Sequence, residues 1–308
     1  MEHLKQLQAG FVNRKFGMFI HFNSATVQFN TGAIGDWEYG HENGGEPRRY
    51  PFNPAGWNPS ALDCSLWADL AAAAGMKFAA LTSKHHEGFC LWPTATTEHC
   101  VRNATFRHDV VGAYLEAFRA RGIAAGLYFS ILDLTRRLGR SKCTGGDIAY
   151  TKDQITELLT QYGEIPFLII DGWGSPWGGP GFDILPFAEI RTLVTKLQPD
   201  CLLLNVGETR NPERTDILFF ESAAGQAVAK DFAGPGISCD ILTKTWFWRQ
   251  EDAAAELKGA EWAVNRVKTL NAQNTAFILN LSPNPTGGVD ANMAARFREI
   301  GAVMGKPD

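Results

Sequence analysis

The class of fold is first indicated by the stretch Phe167-Leu168-Ile169-Ile170-Asp171-Gly172-Trp173. Four consecutive apolar residues are typical of a strand that is buried on both faces, as in the parallel sheets of α/β proteins. The carboxylate that follows them falls at the C-terminal end of the strand, where parallel barrels carry their functional residues. By itself the segment fits equally well an aspartate that only caps the turn, so the other strand ends have to distinguish the two interpretations.

Apolar or β-rich runs of similar length recur along the whole chain. The predicted strands cover 16–21, 77–84, 124–131, 166–171, 201–206, 216–221, 244–249 and 276–282. Helical periodicity occupies most of the intervals and predicts helices over 66–75, 110–122, 151–163, 190–197, 262–270 and 290–300. The third of these helices is expected to begin at Thr151, because Thr151 and Gln154 match a capping box.

This alternation predicts an α/β protein with a (β/α)8 TIM-like barrel. Strands that alternate with helices form parallel crossovers, and eight of them fit a barrel better than an open sheet. No clear helix falls within 201–249, so we expect the barrel to be irregular around strands five to seven. Residues 1–308 contain no linker or repeat and are expected to form one catalytic domain, with no C-terminal β-sandwich. The long Gly, Asn and Pro-rich connection 22–57 is typical of a functional loop.

Composition narrows the class of partner. A net charge of -4 and a pI near 6.0 argue against binding to nucleic acid or to an anionic membrane. No apolar run is long enough to span a bilayer, and no signal peptide is visible. We therefore expect a cytoplasmic protein, with secretion after removal of a leader as the alternative. No Cys-x-x-Cys pair, glycine-rich dinucleotide motif or Walker loop is present, so no cofactor is expected.

Polar and aromatic residues collect at the predicted strand ends. They are His21, Lys84, His85, His86, Glu87, Tyr128, Asp171, Asn205, Glu221, Trp246, Trp248 and Asn280. The C-terminal ends of barrel strands share one rim, however distant they are in sequence. Three histidines, at least two carboxylates and several aromatic rings on one rim favour a functional site over separate structural roles.

Two kinds of chemistry fit this rim. Asp171 and Glu221 end different strands, so they are placed to act as the two carboxylates that hydrolyse a glycosidic bond, with aromatic walls for a sugar ring. The competitor is a metal site that combines His85, His86 or His21 with Asp171. Adjacent histidines in an extended strand point to opposite sides, which makes them awkward joint ligands, so no metal is expected. A serine nucleophile is disfavoured because no G-x-S-x-G elbow is present.

Several motifs resemble those of the family 29 glycoside hydrolases, the α-L-fucosidases. Lys84-His85-His86-Glu87-Gly88-Phe89 followed by Leu91-Trp92-Pro93-Thr94 is similar to the family's K-H-H-D-G-F and L-W-P-S signatures. Three further segments resemble the first, third and last strands of that family: Phe16–Phe22, Gly126–Ser130 and Phe277–Asn280. The resemblance extends over nearly the whole chain.

The resemblance implies a retaining exo-hydrolase in which Asp171 is the nucleophile. It also implies Glu221 as the acid/base, because Phe220–Gly225 is similar to the G-N-E-x-G segment of the subgroup that prefers α-1,3/1,4-linked fucose. The other subgroup carries this acid in a W-E-x-C segment, whereas Gly236–Cys239 contains no acid. The expected substrate is a fucosylated oligosaccharide or glycoconjugate; the oligomeric state stays open.

The residues expected to hold fucose carry over from the same resemblance. They are His21, Trp37, His85, His86 and Tyr128, with Trp246 and Trp248 as further walls. The family's E-W motif reads Asp36-Trp37 here, which shortens one carboxylate that contacts the sugar. Two alternatives remain: the same mechanism on a related sugar such as an α-L-galactoside, and a barrel that binds fucose without turnover.

Overall fold

The computed structural model describes residues 2–28, 52–139, 142–174 and 179–305. Its eight strands are β1 Phe16–Ile20, β2 Phe78–Lys84, β3 Ala124–Ser130, β4 Phe167–Asp171, β5 Leu202–Asn205, β6 Leu218–Glu221, β7 Gly236–Asp240 and β8 Thr275–Leu281. The helices in the described ranges are α1 Glu2–Val12, α2 Ser24–Gln28, α3 Cys64–Ala73, α4 Val110–Arg119, α5 Gly145–Gln161, α6 Phe187–Leu197, α7 Ala260–Ala272 and α8 Ala291–Met304. Helix α5 is the longest of them, and none has both the length and the hydropathy of a membrane span.

The strands form one sheet in the order β5-β4-β3-β2-β1-β8-β7-β6, and every pair is parallel. First and last strands meet where Phe16–Ile20 pairs with Phe277–Leu281. The sheet therefore curls into a nearly closed (β/α)8 barrel, as the alternation of strands and helices predicted.

The barrel has one open seam, between β5 and β6, where the described residues form no strand ladder. The β5–β6 loop bridges it, partly through side chains: the backbone N–H of Leu203 donates to the Asp216 carboxylate at 2.6 Å, and that of Asn205 donates to Thr215 Oγ1 at 3.0 Å. Neither the β5–β6 connection nor the β6–β7 connection contains an α-helix. The irregularity predicted for strands five to seven is confirmed.

Two apolar layers follow from the period-2 alternation of the strands. One set of side chains fills the barrel and the other packs under the surrounding helices. Helix α1, which the sequence analysis did not predict, seals the N-terminal end of the barrel: the Phe11 ring lies 5.0 Å from the ring of Phe78 and 5.1 Å from that of Phe167, centroid to centroid.

The seventh strand was predicted wrongly. Segment 244–249 is a loop, and the seventh strand is the less hydrophobic stretch Gly236–Asp240, which pairs with β6 and β8. The aromatic residues of 244–249 suggested a strand, but in the structure they pack above the barrel, with Phe247 buried and both tryptophans half-buried. The ring of Phe247, for example, contacts those of His21 and His85.

The start of the third predicted helix was also wrong. Helix α5 begins at Gly145, and Thr144 and Asp147 form its capping box. Thr151 lies inside the helix, where its hydroxyl donates to the carbonyl of Asp147 at 2.9 Å. Threonine serves both as a cap and inside a helix by bonding to the preceding turn, so the local pattern did not distinguish the two.

A buried ion pair ties β2 to the loop after β3. Lys84 and Asp133 have fully buried side chains, with Nζ and Oδ2 3.4 Å apart, and Lys84 also donates to Gln154 Oε1 at 2.9 Å. Burial alone would raise the pKa of the Asp133 carboxyl, but Lys84 and hydrogen bonds from neighbours such as Tyr150 lower it overall. Loss of one partner would leave the charge of the other buried and unpaired.

We expect Lys84→Met to lower the free energy of unfolding by about 3–5 kcal/mol, because it leaves Asp133 buried and unpaired. Urea unfolding followed by tryptophan fluorescence measures the change. Lys77→Met, which removes an exposed lysine just before the same strand, is the control. A loss for Lys84→Met within about 1 kcal/mol of the control would contradict the prediction.

Candidate active site

A cavity of about 220 Å³ opens at the C-terminal ends of the strands. Seven of the nine residues predicted for the site line it: His21, His85, His86, Tyr128, Asp171, Glu221 and Trp246. Strands β1 to β7 all deliver residues to its wall, either from their C-terminal ends or from the segments that follow them. The barrel therefore gathers residues that lie up to 227 positions apart in the sequence, from Phe19 to Trp246.

Asp171 ends β4 with both carboxylate oxygens engaged. The Tyr128 hydroxyl donates to Oδ2 at 2.7 Å, and the backbone N–H of Gly172 donates to Oδ1 at 2.5 Å. Burial raises the pKa of the Asp171 carboxyl, while the Tyr128 hydrogen bond, the charge of His85 and the Gly172 N–H act to lower it. About 19% of the side chain stays exposed, so this anchored carboxylate remains accessible from the cavity.

His86 stands beside this carboxylate in a defined tautomer. Its Nδ1 lies 2.6 Å from Ser130 Oγ, and Ser130 gives its only hydroxyl hydrogen to the carbonyl of Leu132 at 2.8 Å. Nδ1 must therefore carry the proton that is donated to Ser130. The other ring nitrogen, Nε2, is 3.8 Å from Asp171 Oδ2.

His21 is held in the same tautomer by Asn280. The amide nitrogen of Asn280 donates to the Trp246 carbonyl at 2.7 Å, so its oxygen is the atom that faces His21 Nδ1 at 2.6 Å. Nδ1 of His21 then donates, and Nε2 is left as an acceptor. Burial, together with the charge of His85, lowers the pKa of His21 well below its usual value and keeps the imidazole neutral.

His85 and His86 both line the cavity although they are adjacent in sequence. Strand β2 ends at Lys84, so the two residues lie beyond the strand and their rings come within 4.3 Å, centroid to centroid. The expectation that they would point to opposite sides is wrong for this reason. Ligand atoms of His85, His86 and Asp171 lie within 4.8 Å of one another, a donor set suited to a divalent cation; the absence of a metal stays a prediction.

Glu87 lies behind His85 and not in the cavity wall. Its Oε2 is 3.3 Å from His85 Nδ1, and its side chain is fully buried. The His85 ring stacks on Tyr128, with 5.3 Å between centroids and 11° between planes. His85 is thus held from one side by a carboxylate and from the other by an aromatic face.

The remaining predicted residues divide into three cases. Glu221 ends β6 and Trp246 lies in the loop after β7, with its ring 4.9 Å from that of His21; both line the cavity. Trp248 is absent from the wall formed by the described residues, and its indole nitrogen donates to Asp290 Oδ2 at 2.5 Å. Trp37 lies outside the described residues.

The sequence analysis missed several lining residues, including Phe19, Cys239 and Lys244. Phe19 and Cys239 are apolar residues within strands. They differ from other core residues only in that their side chains point into the barrel. Lys244 was hidden by the wrong strand assignment for 244–249. Recognition of Gly236–Asp240 as the seventh strand would have placed both Cys239 and Lys244 at the rim.

We expect His21 to be neutral, with its proton on Nδ1, at about pH 6.5, where an unperturbed histidine is half protonated, since burial lowers its pKa. Nitrogen-15 NMR of labelled protein, with the His21 signal assigned by its loss in His21→Gln, measures both the tautomer and the titration. Asn280→Leu removes the acceptor and should shift the proton toward Nε2. Titration of wild-type His21 near about 6.5 would contradict the structure.

Comparison with known proteins places the chain among a defined group. The family model described as "Alpha-L-fucosidase" matches residues 1–307. Alpha-L-fucosidase 1 of Arabidopsis thaliana is 28% identical over 316 residues, which cover 92% of this chain and 57% of that protein. Alpha-L-fucosidase of Dictyostelium discoideum is 30% identical over 317 residues, which cover 93% and 67%.

A solved structure agrees with this assignment. Alpha-L-fucosidase isoenzyme 1 from Paenibacillus thiaminolyticus superimposes with a TM-score of 0.80 at 27% identity, over 98% of this chain and 76% of that one. The chain spans little more than half the length of the plant relatives that it matches. The fold, the cavity and the match over nearly every residue lead to one conclusion: this chain belongs to the alpha-L-fucosidase family.

Proposed function

We propose that this chain is a retaining exo-α-L-fucosidase that removes terminal α-L-fucosyl residues from oligosaccharides or glycoconjugates. The observation that carries the proposal is the presence of Asp171 and Glu221, from the ends of β4 and β6, in the wall of one cavity. Glycosidases of this kind need two carboxyl groups on opposite sides of the scissile bond. Membership of the alpha-L-fucosidase family supports fucose as the sugar.

The mechanism is a double displacement. Asp171 attacks the anomeric carbon and forms a glycosyl-enzyme bond while Glu221 protonates the departing glycosidic oxygen. Glu221 then removes a proton from water, which attacks the same carbon, releases fucose with retained configuration and regenerates the Asp171 carboxylate. Two donors to Asp171, from Tyr128 and Gly172, favour the ionised form that the first step requires.

The cavity supports an exo action on a single sugar. A volume of about 220 Å³ is below the roughly 300–1,000 Å³ of pockets for drug-sized ligands, so it suits one terminal ring. His21 Nε2 offers an acceptor to a ring hydroxyl because Asn280 fixes the proton on Nδ1. Trp246 supplies an aromatic wall beside it.

Glu221 is a better candidate for the acid/base than Asp240, the carboxylate that ends the neighbouring strand β7. Asp240, at the end of β7, accepts hydrogen bonds from Lys258 Nζ at 2.7 Å and from the backbone N–H of Ile241 at 2.8 Å. It is not part of the cavity wall formed by the described residues.

The position of Glu221 on β6 also supports a preference for α-1,3/1,4-linked fucose, as in the subgroup that its segment resembles.

We expect Asp171→Asn to lower kcat/KM by at least about 10³-fold on every fucoside, because the nucleophile is lost. Glu221→Gln should keep most of the kcat/KM on 4-nitrophenyl α-L-fucoside, because this quantity reports formation of the glycosyl-enzyme and the leaving group needs no proton. On an α-1,3/1,4-fucosylated oligosaccharide kcat/KM should fall about 10²-fold or more. An α-1,2-linked oligosaccharide tests the linkage, and Glu213→Gln, on the exposed β5–β6 loop, is the control. Wild-type protein that binds fucose but cleaves none of these substrates would overturn the proposal.

The pH dependence of kcat/KM tests the role of Tyr128. Its hydroxyl lowers the pKa of Asp171, so Tyr128→Phe raises that pKa further, and the nucleophile then ionises only at higher pH. We expect the acidic limb of the profile to move to higher pH. Tyr114→Phe is a matched control, since the Tyr114 hydroxyl is buried and donates to the Gly126 carbonyl away from the cavity. An acidic limb that stays in place or moves to lower pH would contradict this assignment.

A further inference from the structure

Glu221 lies on the open seam of the barrel, at the edge of the sheet. In a parallel strand the N–H and C=O of one residue face the same neighbour, and residues two apart face the same way. The N–H of Phe219 donates across the seam to the carbonyl of Glu208, in the β5–β6 loop, at 3.0 Å. The N–H and C=O of Glu221 therefore also face the side on which no strand is paired.

Gln226 occupies the place of the missing strand. Its side-chain oxygen accepts a hydrogen bond from the N–H of Glu221 at 2.8 Å, and its own backbone N–H donates to the carbonyl of Glu221 at 3.1 Å. Its side-chain nitrogen reaches the carbonyl of Gly207, just after β5, at 3.5 Å. One residue thus satisfies both backbone groups of Glu221 and connects them to the other side of the seam.

The turn between the two residues makes this return possible. Residues Ser222–Ala224 form one 3-10 turn, and Gly225 then adopts φ +84°, a left-handed conformation that reverses the chain. Ser222 is tied down in turn, since its hydroxyl lies 2.8 Å from that of Ser238 and accepts from Arg266 at 2.9 Å. The backbone on both sides of the Glu221 side chain is therefore anchored.

We propose that Gln226 is a positioning residue for Glu221, which replaces the absent strand ladder and holds the acid/base at the reacting bond. The inference rests on the proposed function, because it assigns Gln226 a role only through the acid/base role of Glu221. Proton transfer requires a heavy-atom distance of about 2.6–3.2 Å. A backbone that drifts by about 1 Å at a sheet edge is enough to cost a large factor in rate.

The test compares substrates whose leaving groups differ in their need for a proton. We expect Gln226→Met, which keeps the length of the side chain but removes both polar atoms, to lower kcat/KM for methyl α-L-fucoside roughly 10- to 100-fold. On 4-nitrophenyl α-L-fucoside the same variant should stay within about threefold of wild type, because protonation contributes little there. Loss of structure alone would lower both values together.

Gln273→Met is the matched control. The Gln273 side chain also donates to a backbone carbonyl, that of Ala229 at 2.7 Å, but it is half-buried at the surface and outside the cavity wall formed by the described residues. Gln273→Met should leave the ratio of the kcat/KM values for the two substrates unchanged. Thermal unfolding followed by circular dichroism verifies that each variant is folded at the assay temperature. If Gln226→Met is not folded, Gln226→Glu is measured instead, because it keeps an acceptor for the Glu221 N–H. Its loss of kcat/KM on methyl α-L-fucoside should be smaller than the loss in Glu221→Gln. A loss as large would overturn the proposal.

A double-mutant cycle separates positioning from an independent effect. Gln226→Met added to Glu221→Gln should cost no further activity on methyl α-L-fucoside, since the group it positions is already lost. Additive losses, or equal losses of Gln226→Met on both substrates, would overturn the positioning role while Glu221→Gln still supports the proposed function. If Glu221→Gln itself shows no dependence on the leaving group, the acid/base assignment fails and the role of Gln226 falls with it.

Discussion

The parallel hydrogen-bond ladder of the barrel is the constraint on which the site depends. Because all eight strands run in one direction, their C-terminal ends meet at one rim. Each strand can place a side chain there with little further loss of conformational entropy, since its backbone is already ordered by the ladder. Asp171, Tyr128 and Glu221 reach the cavity in this way. The ladder also explains where the structure departs from regularity. It is interrupted only between β5 and β6 in the described residues, where the side chains of Thr215 and Gln226 accept hydrogen bonds from backbone N–H groups of the two strands.

Burial makes the polar groups of the cavity interdependent. A carboxylate in a desolvated position tends to take up a proton, and a histidine there tends to lose one. At Asp171 this tendency is opposed by hydrogen bonds from Tyr128 and Gly172. At His21 the hydrogen bond to Asn280 opposes it, but burial and the charge of His85 outweigh that bond, so the pKa is lowered and the imidazole is neutral. A neutral ring with a fixed tautomer presents a defined acceptor, and Asn280 fixes it.

Much of the fold was predictable from local pattern. Apolar runs such as Phe167–Ile170 and glycine stops such as Gly75, Gly122 and Gly163 predicted strands and helix ends, and these glycines all adopt positive φ in the structure. The seventh strand was assigned wrongly because local amino-acid composition and tertiary packing favour different segments there. Segment 244–249 is rich in aromatic residues because it covers the top of the barrel, while the true seventh strand contains a glycine and a serine and is stabilised by its neighbours β6 and β8.

The sequence by itself determined the parallel α/β class, the strand ends that carry chemistry and the resemblance to the alpha-L-fucosidases, because these follow from periodicity and from motifs that are contiguous in the chain. Only the tertiary structure decided which strand ends share the cavity, that His85 and His86 both face it, and that Trp248 does not line it. It also decided the proton positions on His21 and His86, which depend on Asn280 and Ser130 from other strands. Hydrogen-bond partners and desolvation arise from contacts between distant parts of the chain, so no local pattern encodes them.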